Sequence, residues 1–217
     1  MITVLIPALN EEKSIGKTVS AFRSVGRVIV CDNGSHDETA TIARSSGASV
    51  IFEPLQGKGH AVMALLREVS GIVLLVDGDN AFHPDDAKKM ISLINDGKAE
   101  VVIGKRMNIN DHNTNHPLLR SFCVSVLQYV FRLKYHSSLT DFFSGYRMLS
   151  KNAVKTFKNN LTSKGFDIEI EMTILGLKKG LVHREVPVYV QPRFHDNQKS
   201  NIFNVGIPVI CRLFRRF

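Results

Sequence analysis

The sequence predicts an α/β protein whose sheet is Rossmann-like, mostly parallel and flanked by helices. Through about the first hundred residues, short apolar runs alternate with amphipathic stretches, as in consecutive strand–helix–strand units. The apolar runs are continuous, which is typical of parallel strands that are buried on both faces of a sheet. Glycines close these segments where helices would stop, at Gly26, Gly47, Gly71 and Gly97.

These patterns place the elements in order. The predicted strands of the first half are residues 2–7, 27–31, 49–53, 72–76 and 100–104. The predicted helices between them are residues 12–25, 37–47, 59–69 and 84–95. The second half is less regular. It begins with a polar loop at residues 108–117 and a helix at 118–133, and a turn leading into a strand follows at 141–150. A second helix is predicted at 166–179 and a last strand at 181–190.

Composition excludes several classes of protein. Hydrophobic residues are 44% and charged residues 22% of the chain, as in ordinary globular proteins and unlike disordered or fibrous ones. The 217 residues fit one domain at roughly 100–200 residues per domain. The cysteines Cys31, Cys123 and Cys211 form no CxxC pair, so neither a zinc cluster nor a disulfide framework is indicated.

The chain shows no sign of insertion into a membrane. Its start, MITVLIPALNEE, is typical of a strand and lacks the basic region of a signal peptide. No apolar run approaches the ~18 residues that a transmembrane helix needs. We therefore expect a cytoplasmic protein, and any contact with a membrane is expected to be peripheral.

Charge points to an anionic partner. Lys and Arg number 28 against 20 Asp and Glu, a formal net charge of +8. Nucleic acid, acidic lipid and a phosphorylated ligand all fit this surplus. No nucleic-acid partner is expected, because the basic residues are dispersed, aromatic residues do not interleave them, and Trp is absent.

Polar residues follow each of the first five predicted strands, at the edge where open α/β sheets bind ligands. Asn33-Gly34 is also a plain turn signal. The segment around Lys58 lacks the GxxxxGK[ST] spacing of a P-loop, and no GxGxxG follows the first strand. The segments concerned are residues 7–11, 32–37, 56–59, 77–80 and 104–106.

Asp77 and Asp79 predict a metal site. Two carboxylates directly after a buried strand repel each other, and a hard divalent cation such as Mg²⁺ would offset that repulsion. Gly78 between them lets a ligand approach the backbone. The alternative is a helix start that favours acids, but Asp85 and Asp86 already occupy the next helix start.

The chain resembles a family 2 glycosyltransferase with the GT-A nucleotide-diphosphosugar transferase fold, along nearly its whole length. A closing R-x-x-x-x-S-K signal is matched by Arg193 with Lys199 and Ser200 in reversed order. The other motifs are IPALNEE at 6–12, VCDNGSHDET at 30–39, GKG at 57–59, DGD at 77–79, GKR at 104–106, DFFSGYRMLS at 141–150, FDIEIEM at 166–172 and EVPV at 185–188.

Within that family, the pattern is most similar to polyprenyl-phosphate sugar transferases of the dolichyl-phosphate mannose or glucose synthase type. The resemblance implies inverting transfer of a hexose from a UDP- or GDP-linked sugar to dolichyl or undecaprenyl phosphate. It implies that Asp77 and Asp79 bind Mg²⁺ or Mn²⁺, although Ala81 stands where the family often has a further ligand, Gln. The implied nucleotide-sugar-binding residues are Pro7, Ala8, Asn10, Glu11, Asp32, Lys58, Asp77 and Gly78.

The acceptor is expected on the basic second half. The resemblance implies that Arg106 and Arg120 hold the acceptor phosphate, and Arg147 and Arg193 are further candidates, because arginine binds phosphate bidentately. For Arg120 and Arg147, a surface arginine over apolar neighbours is an equal alternative.

A phosphate acceptor needs no protein base, because a monophosphate is already an anion near neutral pH. A hydroxyl of a polysaccharide, glycolipid or protein would need one, and Asp141 is the candidate that the resemblance implies. Asp141 is alternatively a turn cap. The implied catalytic residues are therefore Asp79, Asp141 and Arg106.

The end of the chain predicts contact with a membrane surface. Residues 1–200 are expected to form the catalytic domain, and residues 201–217 a basic amphipathic helix. Apolar residues recur there at helical spacing beside Arg212, Arg215 and Arg216, as in helices that lie in a lipid interface. A terminal helix docked on the sheet is the alternative. The oligomeric state stays open, and a homo-oligomer is compatible with the sequence.

Overall fold

Seven strands form one sheet in the order β3-β2-β1-β4-β6-β5-β7. The computed structural model describes residues 2–107 and 117–191, and for residues 117–124 the backbone alone. The strands are β1 (Ile2–Ala8), β2 (Arg27–Asp32), β3 (Ser49–Phe52), β4 (Ile72–Leu75), β5 (Val101–Arg106), β6 (Arg147–Leu149) and β7 (His183–Val188). The helices are α1 (Ile15–Phe22), α2 (Thr39–Ser45), α3 (Lys58–Arg67), α4 (Asp86–Asn95), α5 (Pro117–Tyr135), α6 (Lys151–Asn160) and α7 (Ile168–Lys178).

The predicted α/β fold with a mostly parallel sheet is confirmed. Strands β1 to β4 pair in parallel, and so do β5 and β7. Strand β6 is antiparallel to both of its neighbours, β4 and β5. It therefore enters the sheet at the edge where β4 and β5 end, and Arg147 pairs with both Leu75 and Ile103.

The core lies on both faces of the sheet, which explains the continuous apolar runs. Because side chains alternate between the faces of a strand, Val4 and Ile6 pack in one buried cluster with Phe22 of α1. Leu5, between them, packs in the opposite cluster with residues such as Leu65 of α3 and others from α6 and α7. Every position of this strand centre is thus apolar.

The first predicted helix is too long at its start. The carbonyl of Glu11 accepts hydrogen bonds from the N–H groups of Ser14 (3.0 Å) and Ile15 (2.8 Å), which makes a turn before α1 begins. Helix α6 is missing from the prediction. Its N-cap is Ser150, whose hydroxyl accepts from the Ala153 N–H at 3.1 Å, a signal present in the sequence.

Some predictions fall outside the described residues. These are the polar loop at 108–116, the boundary at residue 200 and the amphipathic helix at 201–217. Within the part of the chain that the structure describes, no helix combines the length and apolar character needed to cross a bilayer.

His183 makes stability depend on pH. Its Nδ1 lies 2.8 Å from the Leu181 carbonyl oxygen, and its buried Nε2 has no hydrogen-bond partner within the described ranges. Burial lowers the pKa of His183 to about 4, and Arg147 also lowers it, against raising contributions from the Leu181 carbonyl and Glu100. An unfolded chain protonates histidine near pH ~6.5, so only the unfolded state gains this proton between that pH and about 4.

We therefore expect the His183 contribution to the free energy of unfolding to fall by up to about 3 kcal/mol as pH drops from about 6.5 to 4. Urea unfolding across this range measures the effect. The variant His183→Gln carries no titrating ring, so its slope against pH should be flatter. Equal slopes for the two proteins would contradict the prediction.

Candidate active site

The loops after β1 and β2 hold each other at one edge of the sheet. The backbone N–H of Asn10 donates to Ser35 Oγ at 2.9 Å, and the N–H of His36 donates to Asn10 Oδ1 at 2.9 Å. The N–H of Glu11 donates to Thr39 Oγ1 at 2.8 Å. Asn10 has φ 52°, in the left-handed region that asparagine tolerates. The two motifs therefore form one interlocked structure.

Asp32 and Asn33 lie buried where β2 ends. One Asp32 carboxylate oxygen accepts the Ser35 N–H at 3.1 Å. The Asn33 amide donates to two carbonyls that follow β3, at 3.0 and 2.8 Å, and its oxygen accepts the Gly57 N–H at 2.7 Å. Asn33 thus does more than form a turn, because it joins the loop after β2 to the segment before α3.

Lys58 lies between two carboxylates. Its Nζ is 2.6 Å from Asp77 Oδ1 and 2.5 Å from Glu169 Oε1. The three side chains are only 16%, 25% and 8% exposed, respectively. Burial lowers the pKa of Lys58, but Asp77 and Glu169 outweigh burial and raise it overall, so the ammonium stays charged. The site therefore contains its own cation beside the predicted metal ligand Asp77.

Two glycines allow Lys58 to reach this position. A Cβ built on Gly57 or Gly59 would lie 2.1 Å from the carbonyl oxygen of Lys164 or Ser163, respectively. The Gly59 N–H also donates to the Lys164 carbonyl at 3.2 Å, and Gly57 has φ 135°. The G-K-G motif is thus required by close packing of two backbone segments, with the lysine between them.

Gly145 lies against the Asp77 carboxylate. A Cβ at this position would be 2.6 Å from Asp77 Oδ2 and 3.0 Å from Oδ1, closer than real Cβ contacts. Strand β6 is responsible, because pairing of Arg147 with Leu75 brings the residues before β6 beside those after β4. At position 145, the Asp77 carboxylate therefore leaves room only for a glycine.

The loop after β4 is held by hydrogen bonds to its backbone. The Thr18 hydroxyl of α1 donates to the Gly78 carbonyl at 3.1 Å, and both groups are buried. Asp79 Oδ1 accepts the Ala81 N–H at 3.1 Å, and Asn80 between them has φ 57°. The two aspartates are thus presented from a fixed loop.

Asp77 and Asp79 offer the hard oxygen donors that Mg²⁺ and Mn²⁺ prefer. No group of three or more His, Cys, Asp or Glu that could hold a metal ion is found within residues 2–107 and 117–191. Two carboxylates suit a cation that takes one or two protein oxygens and completes its shell with substrate phosphates and water.

Arg106 and Asp141 form a bidentate ion pair. Nε and Nη2 of Arg106 lie 2.8 Å from Oδ2 and Oδ1 of Asp141, and the Arg106 backbone N–H donates to Oδ2 at 3.0 Å. Burial lowers the pKa of Arg106, but the hydrogen bond and charge of Asp141, together with the charges of Asp77 and Glu169, raise it overall. Arg106 was expected to bind an acceptor phosphate and Asp141 to activate an acceptor hydroxyl. The structure joins the two side chains in one unit.

Arg147 has a different environment from the one predicted. Its side chain is fully buried, and its guanidinium donates to the carbonyls of Ser144 and Phe142 and to Thr173 Oγ1. Burial lowers the pKa of Arg147 to about 10. Because its donors serve the protein interior, Arg147 supports the turn before β6, and this corrects the expectation that it binds the acceptor phosphate.

The predicted site residues differ in how far the structure places them. Arg120 lies in α5 where only the backbone is described, and Arg193 lies outside the described residues. One pocket is lined by predicted site residues and also by Gly145 and Glu169, to which the sequence analysis assigned no individual role. Both glycine and glutamate lie within motifs that the sequence analysis named, and this was the signal by which they could have been found. Its lining includes Pro7, Lys58, Asp77, Gly145, Arg147 and Glu169.

The sequence of this chain is similar to those of known glycosyltransferases. The sequence model described as Glycosyl transferase family 2 matches residues 3–157. An uncharacterised protein of Methanocaldococcus jannaschii is 33% identical over 98% of this chain and 90% of its own. Glycosyltransferase AglJ of Haloferax volcanii is 29% identical over 99% and 71%. A Methanococcus voltae protein named UDP-N-acetylglucosamine–dolichyl-phosphate N-acetylglucosaminyltransferase is 27% identical over 98% and 94%.

Solved structures share the fold. Glucosyl-3-phosphoglycerate synthase from Mycobacterium tuberculosis, in complex with Mg²⁺ and uridine diphosphate, superposes with a TM-score of 0.78 at 22% identity. The match covers 98% of this chain and 78% of that chain. Its complex with Mn²⁺, UDP-glucose and phosphoglyceric acid gives a TM-score of 0.75 at 23% identity, over 98% and 78%. These similarities show the predicted GT-A fold.

Proposed function

The chain belongs to glycosyl transferase family 2 and is a glycosyltransferase, and we propose that it moves one hexose from a uridine diphosphate sugar to a polyprenyl phosphate. The observation that carries the acceptor is the Arg106–Asp141 pair, a fixed cation at the same edge of the sheet as Asp77. The name of the Methanococcus voltae relative supports both substrates, and the uridine diphosphate in the superposed structures supports the donor.

The donor half of the proposal uses the loops after β1 to β4. Asp77 and Asp79 are the residues that would hold Mg²⁺ or Mn²⁺, and a cation there would neutralise charge on the departing diphosphate. Lys58 keeps the Asp77 carboxylate in place and adds a positive charge near the phosphates. Strands β1 and β2 and the interlocked loops after them carry the proposed donor contacts Pro7, Ala8, Asn10, Glu11 and Asp32, and the loop after β4 carries Gly78.

In the acceptor half of the proposal, the phosphate binds the edge of the Arg106 guanidinium that Asp141 does not occupy. Asp141 contacts Nε and Nη2 of Arg106, and no acceptor among the described residues contacts Nη1. Arginine can therefore take a phosphate on its second edge while the carboxylate orients the first. The phosphate oxygen then attacks the anomeric carbon, the bond to the diphosphate breaks, and the configuration inverts. Retention in the product would sink this mechanism.

A panel of nucleotide sugars and acceptors tests the function. Short polyprenyl phosphates with Mg²⁺ or Mn²⁺ are expected to accept hexose from a UDP-linked sugar in a thin-layer assay, and EDTA should abolish transfer. GDP-linked sugars serve as the donor comparison. Transfer to free hydroxyl acceptors with none to polyprenyl phosphate would overturn the proposed acceptor.

The hydroxyl acceptor remains a second candidate because Asp141 is a carboxylate in the same site. With a phosphate acceptor, Arg106→Ala should lower kcat/KM about 100-fold, because it removes a partly buried charge that binds the acceptor. Asp141→Asn should cost only about tenfold, because the amide still orients Arg106. A hydroxyl acceptor predicts the reverse order, with loss of the base costing about 10²–10⁴-fold. The exposed Arg132→Ala is the control.

Residues 201–217 support a peripheral membrane location, which stays a proposal from sequence. Their apolar residues and arginines suit an anionic lipid surface. Removing residues 201–217 should release the protein from anionic vesicles in a flotation assay, and unchanged flotation would refute the role.

A further inference from the structure

Glu185 of β7 accepts three hydrogen bonds from one turn. Its Oε1 accepts the backbone N–H groups of Thr140 and Asp141, each at 2.7 Å. Its Oε2 accepts the Thr140 hydroxyl at 2.9 Å. These bonds connect segments that are more than forty residues apart, because the separations are 45 and 44. A carboxylate is suited to this place because it offers acceptors alone.

The turn is held between two neighbouring strands. Strand β5 pairs in parallel with β7, with Ile103 opposite Glu185 and Arg106 opposite Val188. Glu185 thus binds the backbone of the turn from β7, while Arg106 binds the Asp141 side chain from β5. A third contact comes from α5, where Gln128 donates to the Thr140 carbonyl at 2.6 Å.

We propose that Glu185 is a positioning residue, which fixes the Asp141 carboxylate and, through it, the guanidinium of Arg106. This inference rests on the proposed function, in which Arg106 binds the acceptor phosphate. Glu185 fixes where the Asp141 backbone lies, and a short side chain such as Asp carries little freedom beyond that. Misplacement of a binding group by about 1 Å can cost about 100-fold in rate.

The variant Glu185→Ala removes all three bonds. We expect kcat with polyprenyl phosphate to fall about tenfold to 100-fold, with an unchanged Kd for Mn²⁺–UDP measured by calorimetry. Glu185→Gln should recover most of the activity, because its oxygen can take both N–H bonds while its amide donates to the Thr140 hydroxyl. The neighbouring exposed Arg184→Ala is the matched control. A parallel loss of UDP binding would show a general structural role and overturn the proposal.

A double-mutant cycle tests whether Glu185 acts through Asp141. In an Asp141→Ala background, Glu185→Ala should cost no more than about twofold further, because no side chain at position 141 then contacts the Arg106 guanidinium. Losses that multiply would overturn the inference. If Glu185→Ala does not fold, Thr140→Val removes the hydroxyl bond alone, and its smaller loss should vanish in the same background.

Amide exchange separates this inference from the proposed function. The N–H groups of Thr140, Asp141 and Arg106 all donate within the unit, and the Arg106 N–H reports on the Asp141 carboxylate. Glu185→Ala should speed exchange at all three by about tenfold or more. If the wild-type protein transfers to no phosphate acceptor, the proposed function fails while this exchange result still decides on Glu185. Unchanged exchange at Arg106 would overturn the positioning role.

Discussion

Replacing Lys58 by methionine is expected to lower the free energy of unfolding by about 3 kcal/mol at neutral pH. The substitution leaves an unbranched side chain one atom shorter and removes the ammonium from between Asp77 and Glu169, which lie 2.6 and 2.5 Å from it. Two poorly exposed carboxylates would then face each other without the ammonium between them, although Arg106 and Arg147 still contribute positive charge nearby. Breaking a buried pair on one side leaves uncompensated charge, which costs more than the pair itself contributes.

Urea unfolding of the two proteins at neutral pH measures this effect. Lys88→Met is the matched control, because Lys88 and Asp85 form an exposed pair at 2.7 Å with side chains 79% and 64% exposed. That variant should cost less than about 1 kcal/mol. Equal losses for both would refute a special role for Lys58.

Replacing Gly145 by alanine is expected to lower kcat about 100-fold while changing stability by only about 1 kcal/mol. The new methyl group would lie 2.6 Å from Asp77 Oδ2, so the carboxylate must turn away. Lys58 holds the other oxygen of Asp77, and rotation of the carboxylate would weaken that ion pair too. The defect should therefore concern the nucleotide and metal half of the site.

Steady-state kinetics and calorimetric binding of Mn²⁺–UDP check this expectation. Gly165→Ala provides the control, because a Cβ there meets its nearest atom, Asp167 Oδ1, at an ordinary 3.5 Å. Wild-type kinetics in Gly145→Ala would mean that the Asp77 position does not matter for turnover.

The first half of the fold could be predicted from the sequence because its elements are determined by residues that are close together in the chain. Each of its strands is followed by its own helix, and continuous apolar runs identify strands that are buried on both faces. The ends of these strands then place Asp32, Lys58 and Asp77 at one edge. Helix α6 is the exception, because its cap at Ser150 is a local signal that the prediction did not use.

The second half depends on contacts between residues that are distant in the chain. Arg106 and Asp141 are separated by 35 residues, and their pairing cannot be deduced from either motif alone. Arg147 carries the chemistry of a phosphate ligand, yet burial directs its donors to carbonyls of its own turn. Glu169 matches a motif, but its partner Lys58 is provided by a helix from the other half of the chain.

The antiparallel strand β6 also determines the order in which the enzyme can be assembled. It fills the gap between β4 and β5, and its partners Leu75 and Val73 are synthesised long before Arg147 and Leu149. Until β6 arrives, β4 has an unpaired edge, which is an aggregation hazard in a nascent chain. Such long-range pairing is slow, because closing the long loop between the strands costs conformational entropy before the new contacts form. Gly145 reaches Asp77 only at that step, so catalytic competence should appear late in folding, together with closure of the sheet.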